Sequence, residues 1–185
     1  MKKNLEKKNF FLCAILTVLF VSISFAPALA AEKLAIQKLL LADDIKGFAQ
    51  YTPHAGSRYT LEDECWIYLE ATGCATPAVS DAKDEYSLNL AADILVKRPQ
   101  SGQKLAFQPD IATLVTTLRS KSPTQFLAIG FGLKGWTPGN YSLEIGLRDN
   151  LSGQTVSQDL ALQVAKPTEA DIKAKQERET KTKQQ

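Results

Sequence analysis

An all-β fold, built as a two-sheet antiparallel sandwich of about seven or eight short strands, is what the 185-residue sequence predicts. Two observations carry most of that expectation. Residues 86–97, YSLNLAADILVK, alternate without a fault, and residues 141–164 hold two further alternating runs around a Gly-bearing reversal. The third is the turn chemistry that recurs between apolar runs, with little convincing helical periodicity anywhere.

The chain starts with a targeting segment. Lys2, Lys3, Lys7 and Lys8 precede an apolar run over 10–25, interrupted by Cys13, Thr17, Ser22 and Ser24, and Ala28-Leu29-Ala30 supplies the small-x-small pattern of a cleavage site after Ala30. That run of about 16 residues is shorter than the ~20 that span a bilayer comfortably. Cys13 sits inside the run with no small residue before it, so no lipid-attachment box is formed. The expectation is a signal peptide over 1–30, a domain over 31–165 and a charged tail over 166–185, in the periplasm or outside the cell.

Removing the signal changes the charge. The whole chain is formally +2, whereas residues 31–185 hold 18 Lys and Arg against 19 Asp and Glu, a charge of −1. The basic character belongs to the signal, which leaves no footprint for nucleic acid or an anionic membrane surface. The mature chain also keeps an even pair of cysteines, Cys65 and Cys74, in a compartment that permits disulfides. If CWIYLEA is a strand it carries the chain about 20 Å. Three more residues cannot return it to the ~6 Å that a disulfide needs. Either the strand breaks near Leu69, or the two thiols stay free or link to a partner.

Taken in order, residues 31–50 fit neither period cleanly and can be read as a short amphipathic helix or as a strand running into Gly47, with the strand favoured. Residues 51–64, with Pro53, Gly56 and an acidic cluster, read as loop. CWIYLEA is a strand rich in aromatic and β-branched residues, and 72–85 is an exposed connection. In the next strand Tyr86, Leu88, Leu90, Ala92, Ile94 and Val96 share one face, with Ser87, Asn89, Asp93 and Lys97 on the other.

RPQSGQ is a tight turn and KLAFQ the returning strand, while DIATLVTTL is either a helical turn or a strand on the sandwich edge. FLAIGFGL resumes the β pattern, and its two glycines, Gly130 and Gly132, mark a bulge or a close neighbour. After the turn at Pro138-Gly139, Tyr141, Leu143, Ile145 and Leu147 point inward. The chain reverses over 149–153, and Val156, Leu160, Leu162 and Val164 follow as a closing hairpin. The tail beyond Pro167 has Ile172 as its only large aliphatic residue and is expected to be disordered or transiently helical.

PGNYSLEIGLRDNLSGQ resembles the P-G-x-Y-x-L-x-I-x-x-x-D segment near the C-terminus of many bacterial immunoglobulin-like or fibronectin-III-like modules. GFAQYTP, a loop and CWIYLEA are similar to the front half of small exported proteins of that kind. Glu62, Asp63 and Glu64 stand where such modules usually carry a Gly before the first core strand. The resemblance covers about 47–164, and its motifs are structural. It implies an immunoglobulin-like sandwich and names no chemistry.

No catalytic set is legible. His54 is the only histidine, it lies in a polar loop, and Ser57 three residues on lacks a nucleophile-elbow context. Cys65 and Cys74 are too far apart for a common zinc pattern. The carboxylates at Asp43-Asp44, Glu62-Asp63-Glu64 and Asp81 to Glu85 form no calcium loop. No metal and no cofactor are expected.

Aromatic residues are the remaining lead. Trp136 at a turn, and Trp66 and Tyr68 on one strand, could anchor a partner or stack on a sugar. Trp66 and Tyr68 share one strand face and Ile67 and Leu69 the other, so one of the two is core. The expectation is a non-catalytic, exported interaction module with protein partners, a subunit or accessory protein of a cell-envelope assembly. The alternative is a small carbohydrate-binding module centred on Trp136.

Overall fold

The computed structural model describes residues 32–79 and 84–173. The expected signal segment and its cleavage site, Asp81, and the tail beyond residue 173 lie outside the described residues. Among those described, no helix is long and apolar enough to cross a membrane.

Nine strands form among the described residues: β1 (Ala35–Gly47), β2 (Gln50–Pro53), β3 (Arg58–Thr60), β4 (Glu64–Thr72), β5 (Tyr86–Lys97), β6 (Lys104–Leu118), β7 (Thr124–Gly132), β8 (Gly139–Asp149) and β9 (Thr155–Ala165). They make two sheets, sheet 1 in the order β2-β1-β4-β7 and sheet 2 in the order β3-β9-β8-β5-β6. Neighbours are antiparallel throughout except β3, which runs parallel to β9.

The all-β expectation holds, and of the two readings of the segment before Gly47 the strand is the one found, as β1. Two readings need correction. Residues 51–64 are not simply loop, because β2 pairs back onto β1 and β3 pairs with β9. Both strands are too short, four and three residues, to show an alternating pattern. KLAFQ and DIATLVTTL belong to one 15-residue strand, β6. Pro109 and Asp110 disguise its continuity, because the register against β5 jumps from Ala92↔Ala112 to Ile94↔Gln108. The extra residues bulge outward with Asp110 at φ 50°, its amide donating to Asp93 Oδ1 at 2.8 Å. Pro109 is tolerated because β6 is an edge strand.

The alternation seen in the sequence places the core. Leu41 of β1, Cys65, Ile67, Leu69 and Ala71 of β4, and Leu127 and Ile129 of β7 face Leu88, Leu90, Ala92, Ile94 and Val96 of β5. Tyr141, Leu143, Ile145 and Leu147 of β8 with Leu162 and Val164 of β9 complete the layer. Each fully buried Leu or Ile contributes roughly 1.5–3 kcal/mol. One buried carboxylate ties the hairpin β8–β9 to the far end of β4. Asp149 accepts from the amides of Ala75, Leu151 and Ser152 and from the Ser152 hydroxyl, so its burial leaves no oxygen idle.

Residues 169–173 form a helical turn in which Thr168 and Asp171 cap each other, and Arg58 donates to Asp171 from β3. These bonds hold the Asp171 carboxyl well below the usual carboxylate range, the Arg58 guanidinium contributing most.

Candidate interaction surface

Trp66, Tyr68 and Trp136 do not come together. Trp66 and Tyr68 lie on the outer face of sheet 1, since Ile67 and Leu69 take the core face. Tyr68 is nevertheless fully buried, and as an exposed contact it must be withdrawn. The cause is the β1–β2 hairpin, which folds its tip over the outer face. Tyr51 stacks on the Tyr68 ring at 4.2 Å, and the amide of Ala49 donates to its hydroxyl, which donates in turn to Glu70. Lys38 completes the cluster with Glu70 at 3.2 Å, and burial raises the Tyr68 phenol above its usual range.

Trp66 stays partly exposed. Its neighbour across the strand is Gly130, and a Cβ added there would lie 2.6 Å from the indole Cζ3. Gly130 is therefore the close-neighbour case foreseen for this strand, whereas nothing lies near Gly132. Trp136, between β7 and β8, packs with its ring stacked on Phe131 at 5.9 Å and edge-on to Tyr141 at 5.0 Å. The Tyr141 hydroxyl donates back to the carbonyl of Thr137, and Arg98 covers the other side of the Tyr141 ring. Trp136 thus fastens the corner where the chain crosses from sheet 1 to sheet 2.

Both ring nitrogens of His54 are occupied. Nδ1 meets Asp43 at 2.5 Å, Nε2 meets the carbonyl of Arg58 at 2.9 Å, and the ring stacks on Tyr59 at 4.0 Å. The imidazole is a brace between β1 and β3. Asp44 pairs with Lys46, and Asp63 accepts from the amide and hydroxyl of Thr60. Among the described residues no group of His, Cys, Asp and Glu is placed to hold a metal ion.

Cys65 and Cys74 are free thiols. The strand β4 is unbroken between them, so they stand at opposite ends of it and no intramolecular bridge forms. Burial pushes the Cys65 thiol up to about 12 and the Cys74 thiol up to about 11.

The most prominent surface was not singled out in the sequence. Of the large apolar side chains left exposed among the described residues, three belong to β6: Leu105, Phe107 and Val115. Phe107 pairs directly with Leu95 of β5 on the outer face of sheet 2, and Leu105, also exposed, lies two residues before it at a second register shift, between Val96↔Ala106 and Lys97↔Lys104. Two ion clusters flank this apolar patch. Lys97 bridges Glu144 and Asp159 at 2.9 Å each, and Arg148 bridges Asp93 and Asp110. An apolar centre with a polar, ion-paired rim is the anatomy of a protein-docking surface. The alternation of Leu105 and Phe107 was the available signal, but their exposure depends on β6 being an edge.

Fold and surface together define an all-β chain of two packed sheets with one long open edge. Comparison with protein-family models and with curated proteins returns no match. Among solved structures, the chain is similar to Bacteroides uniformis beta-glucuronidase 2 covalently bound to cyclophellitol-6-carboxylate aziridine, at 13% identity and a TM-score of 0.29. That likeness covers 71% of this chain and spans 12% of the glucuronidase chain.

Proposed function

We propose that this chain is an exported, non-catalytic interaction module of immunoglobulin-like architecture, serving as a subunit or accessory protein of a cell-envelope assembly. The observation that carries the reading is the apolar patch of Leu95 and Phe107 on the outer face of sheet 2, with the exposed Leu105 two residues before Phe107, left uncovered between two ion clusters. Strand order supports the architecture: with β2 and β3 set aside, a three-stranded β1-β4-β7 sheet faces a four-stranded β9-β8-β5-β6 sheet. The crossing at Trp136 and Tyr141, where a tyrosine hydroxyl bonds back to the chain upstream, is a further feature of such sandwiches.

A photo-reactive amino acid at position 107 in expressing cells tests the docking surface. A discrete adduct with an envelope protein is expected from 107 and not from position 151, which is also exposed. Equal labelling from both positions, or none, rejects the patch. Mass spectrometry of the purified product tests export, with Ala31 expected as the first residue.

One observation favours the carbohydrate-binding alternative, but at Trp66 rather than Trp136. The Trp66 indole is partly exposed over Gly130, and the exposed Ala128 and Gly132 to either side on the same face of β7 raise little or no side chain beside it. Glycan binding abolished by Trp66→Ala and kept by Trp136→Ala would support it. A wild-type protein that binds no glycan on the array would dismiss it.

A further inference from the structure

The outermost strands of the two sheets are β2, β7, β3 and β6; β2 and β3 cover only part of β1 and β9, whose uncovered flanks carry the charges of Lys38 and Asp159, and three of the four outermost strands are themselves blunted. The strands β2 and β3 are four and three residues long, and β7 carries Gly130 and Gly132, which weaken pairing. The fourth, β6, divides at its bulge. Residues 104–110 hold Lys104, Pro109 and Asp110, the devices that keep an edge solitary. Residues 111–118, IATLVTTL, hold no charge, no proline and no glycine, and five of the eight are β-branched. At their centre Val115 is 71% exposed, the most exposed large apolar side chain described.

We infer that residues 111–118 of β6 pair antiparallel with the same segment of a second copy of this chain, joining two copies of sheet 2 through a two-fold axis at Val115. The segment is suited to its own image. With Val115 on the axis, Thr113 stands opposite Thr117 on the outer face, and Leu114 opposite Thr116 and Ala112 opposite Leu118 on the inner face. Every pair joins apolar or hydroxyl-bearing side chains, and no two like charges meet.

The ends fix the direction. Asp110 precedes the segment and Arg119 follows it, so an antiparallel partner brings each Arg119 to the acidic end of the other copy, twice by symmetry. A parallel pairing would set Asp110 beside Asp110. Arg148 already holds Asp110 at the bulge, which keeps that carboxylate at the end of the segment. This inference stands apart from the envelope partner, because the Leu95, Leu105 and Phe107 patch lies beyond the bulge and stays uncovered in the pair.

The test uses protein purified after expression of the full sequence. Sedimentation over a concentration series should show a monomer–dimer equilibrium. Val115→Lys, which puts two like charges on the axis at an exposed position, should weaken it about tenfold or more without changing the thermal midpoint of the monomer. In a Cys74→Ser background, Val115→Cys should oxidise to a disulfide-linked dimer. Thr113→Cys alone should not, whereas Thr113→Cys with Thr117→Cys should. A monomeric mass at every concentration overturns the inference. So does a dimer indifferent to Val115→Lys, or one that cross-links equally from all of these positions.

Discussion

The indole of Trp66 lies over Gly130 so closely that the glycine has no room for a side chain. The pair links the central strand β4 to the edge strand β7 and covers backbone that would otherwise be bare. Gly130→Ala must push the ring off, and a loss of about 1–3 kcal/mol in urea unfolding is expected, with a shift in tryptophan emission. Combining it with Trp66→Ala should cost less than the sum of the single changes. Full additivity would mean the contact carries nothing.

Asp149 is the second point of vulnerability. Asp149→Ala leaves the amides of Ala75, Leu151 and Ser152 without their acceptor in a buried site. A destabilisation of about 2–4 kcal/mol is expected by chemical denaturation, with Asp149→Asn falling between the variant and the parent. A change within experimental error would show that water replaces the carboxylate at no cost.

The two thiols set an alkaline limit. Burial raises Cys65 to about 12 and Cys74 to about 11, so the folded chain keeps protons that the unfolded chain releases from about pH 9. The contribution of the two thiols to folding stability is therefore level below pH ~9 and falls as pH rises towards 11–12. Cys65→Ala and Cys74→Ala should each flatten that fall, measured as the urea midpoint against pH. In the native state Cys74, half-buried, should react with a maleimide well before Cys65, which is fully buried.

Arg148 holds the bulge in β6 through Asp93 and Asp110. These groups are partly solvated, so Arg148→Ala should cost about 1 kcal/mol or less in global stability. Its local effect should be larger: amides at 106–110 should exchange hydrogen at least several-fold faster, while those of β8 keep their protection. Unchanged exchange at the bulge would assign its shape to Pro109 alone.

The readable parts of the sequence were those whose environment repeats every two residues. Strands β5 and β8 alternate between a packed face and a freer one, and the residues expected inward are buried apart from Tyr86, which is only half-buried at the start of β5, while Ala91 of the other parity is buried as well. Strands β2 and β3 fell below the length at which a period exists. The single strand β6 was hidden because a bulge resets the alternation at Pro109. Tyr68 shows the other kind of loss. Strand parity placed it on one face with Trp66 without deciding which face was core, and its burial, away from the core, comes from a hairpin tip about twenty residues earlier in the chain. No local pattern reports that return. The docking patch was missed for the converse reason, since Leu105 and Phe107 look like ordinary inward residues until the strand order leaves β6 outermost.

The parallel pairing of β3 with β9 joins Arg58, Tyr59 and Thr60 to Gln163, Val164 and Ala165. Whatever carries the chain from ribosome to destination delivers the first of these segments long before the second. Sheet 2 therefore cannot close on that side until residues 163–165 have emerged. Until then Tyr59, which ends up buried, has no strand beside it, and assembly is timed by the arrival of the last strand.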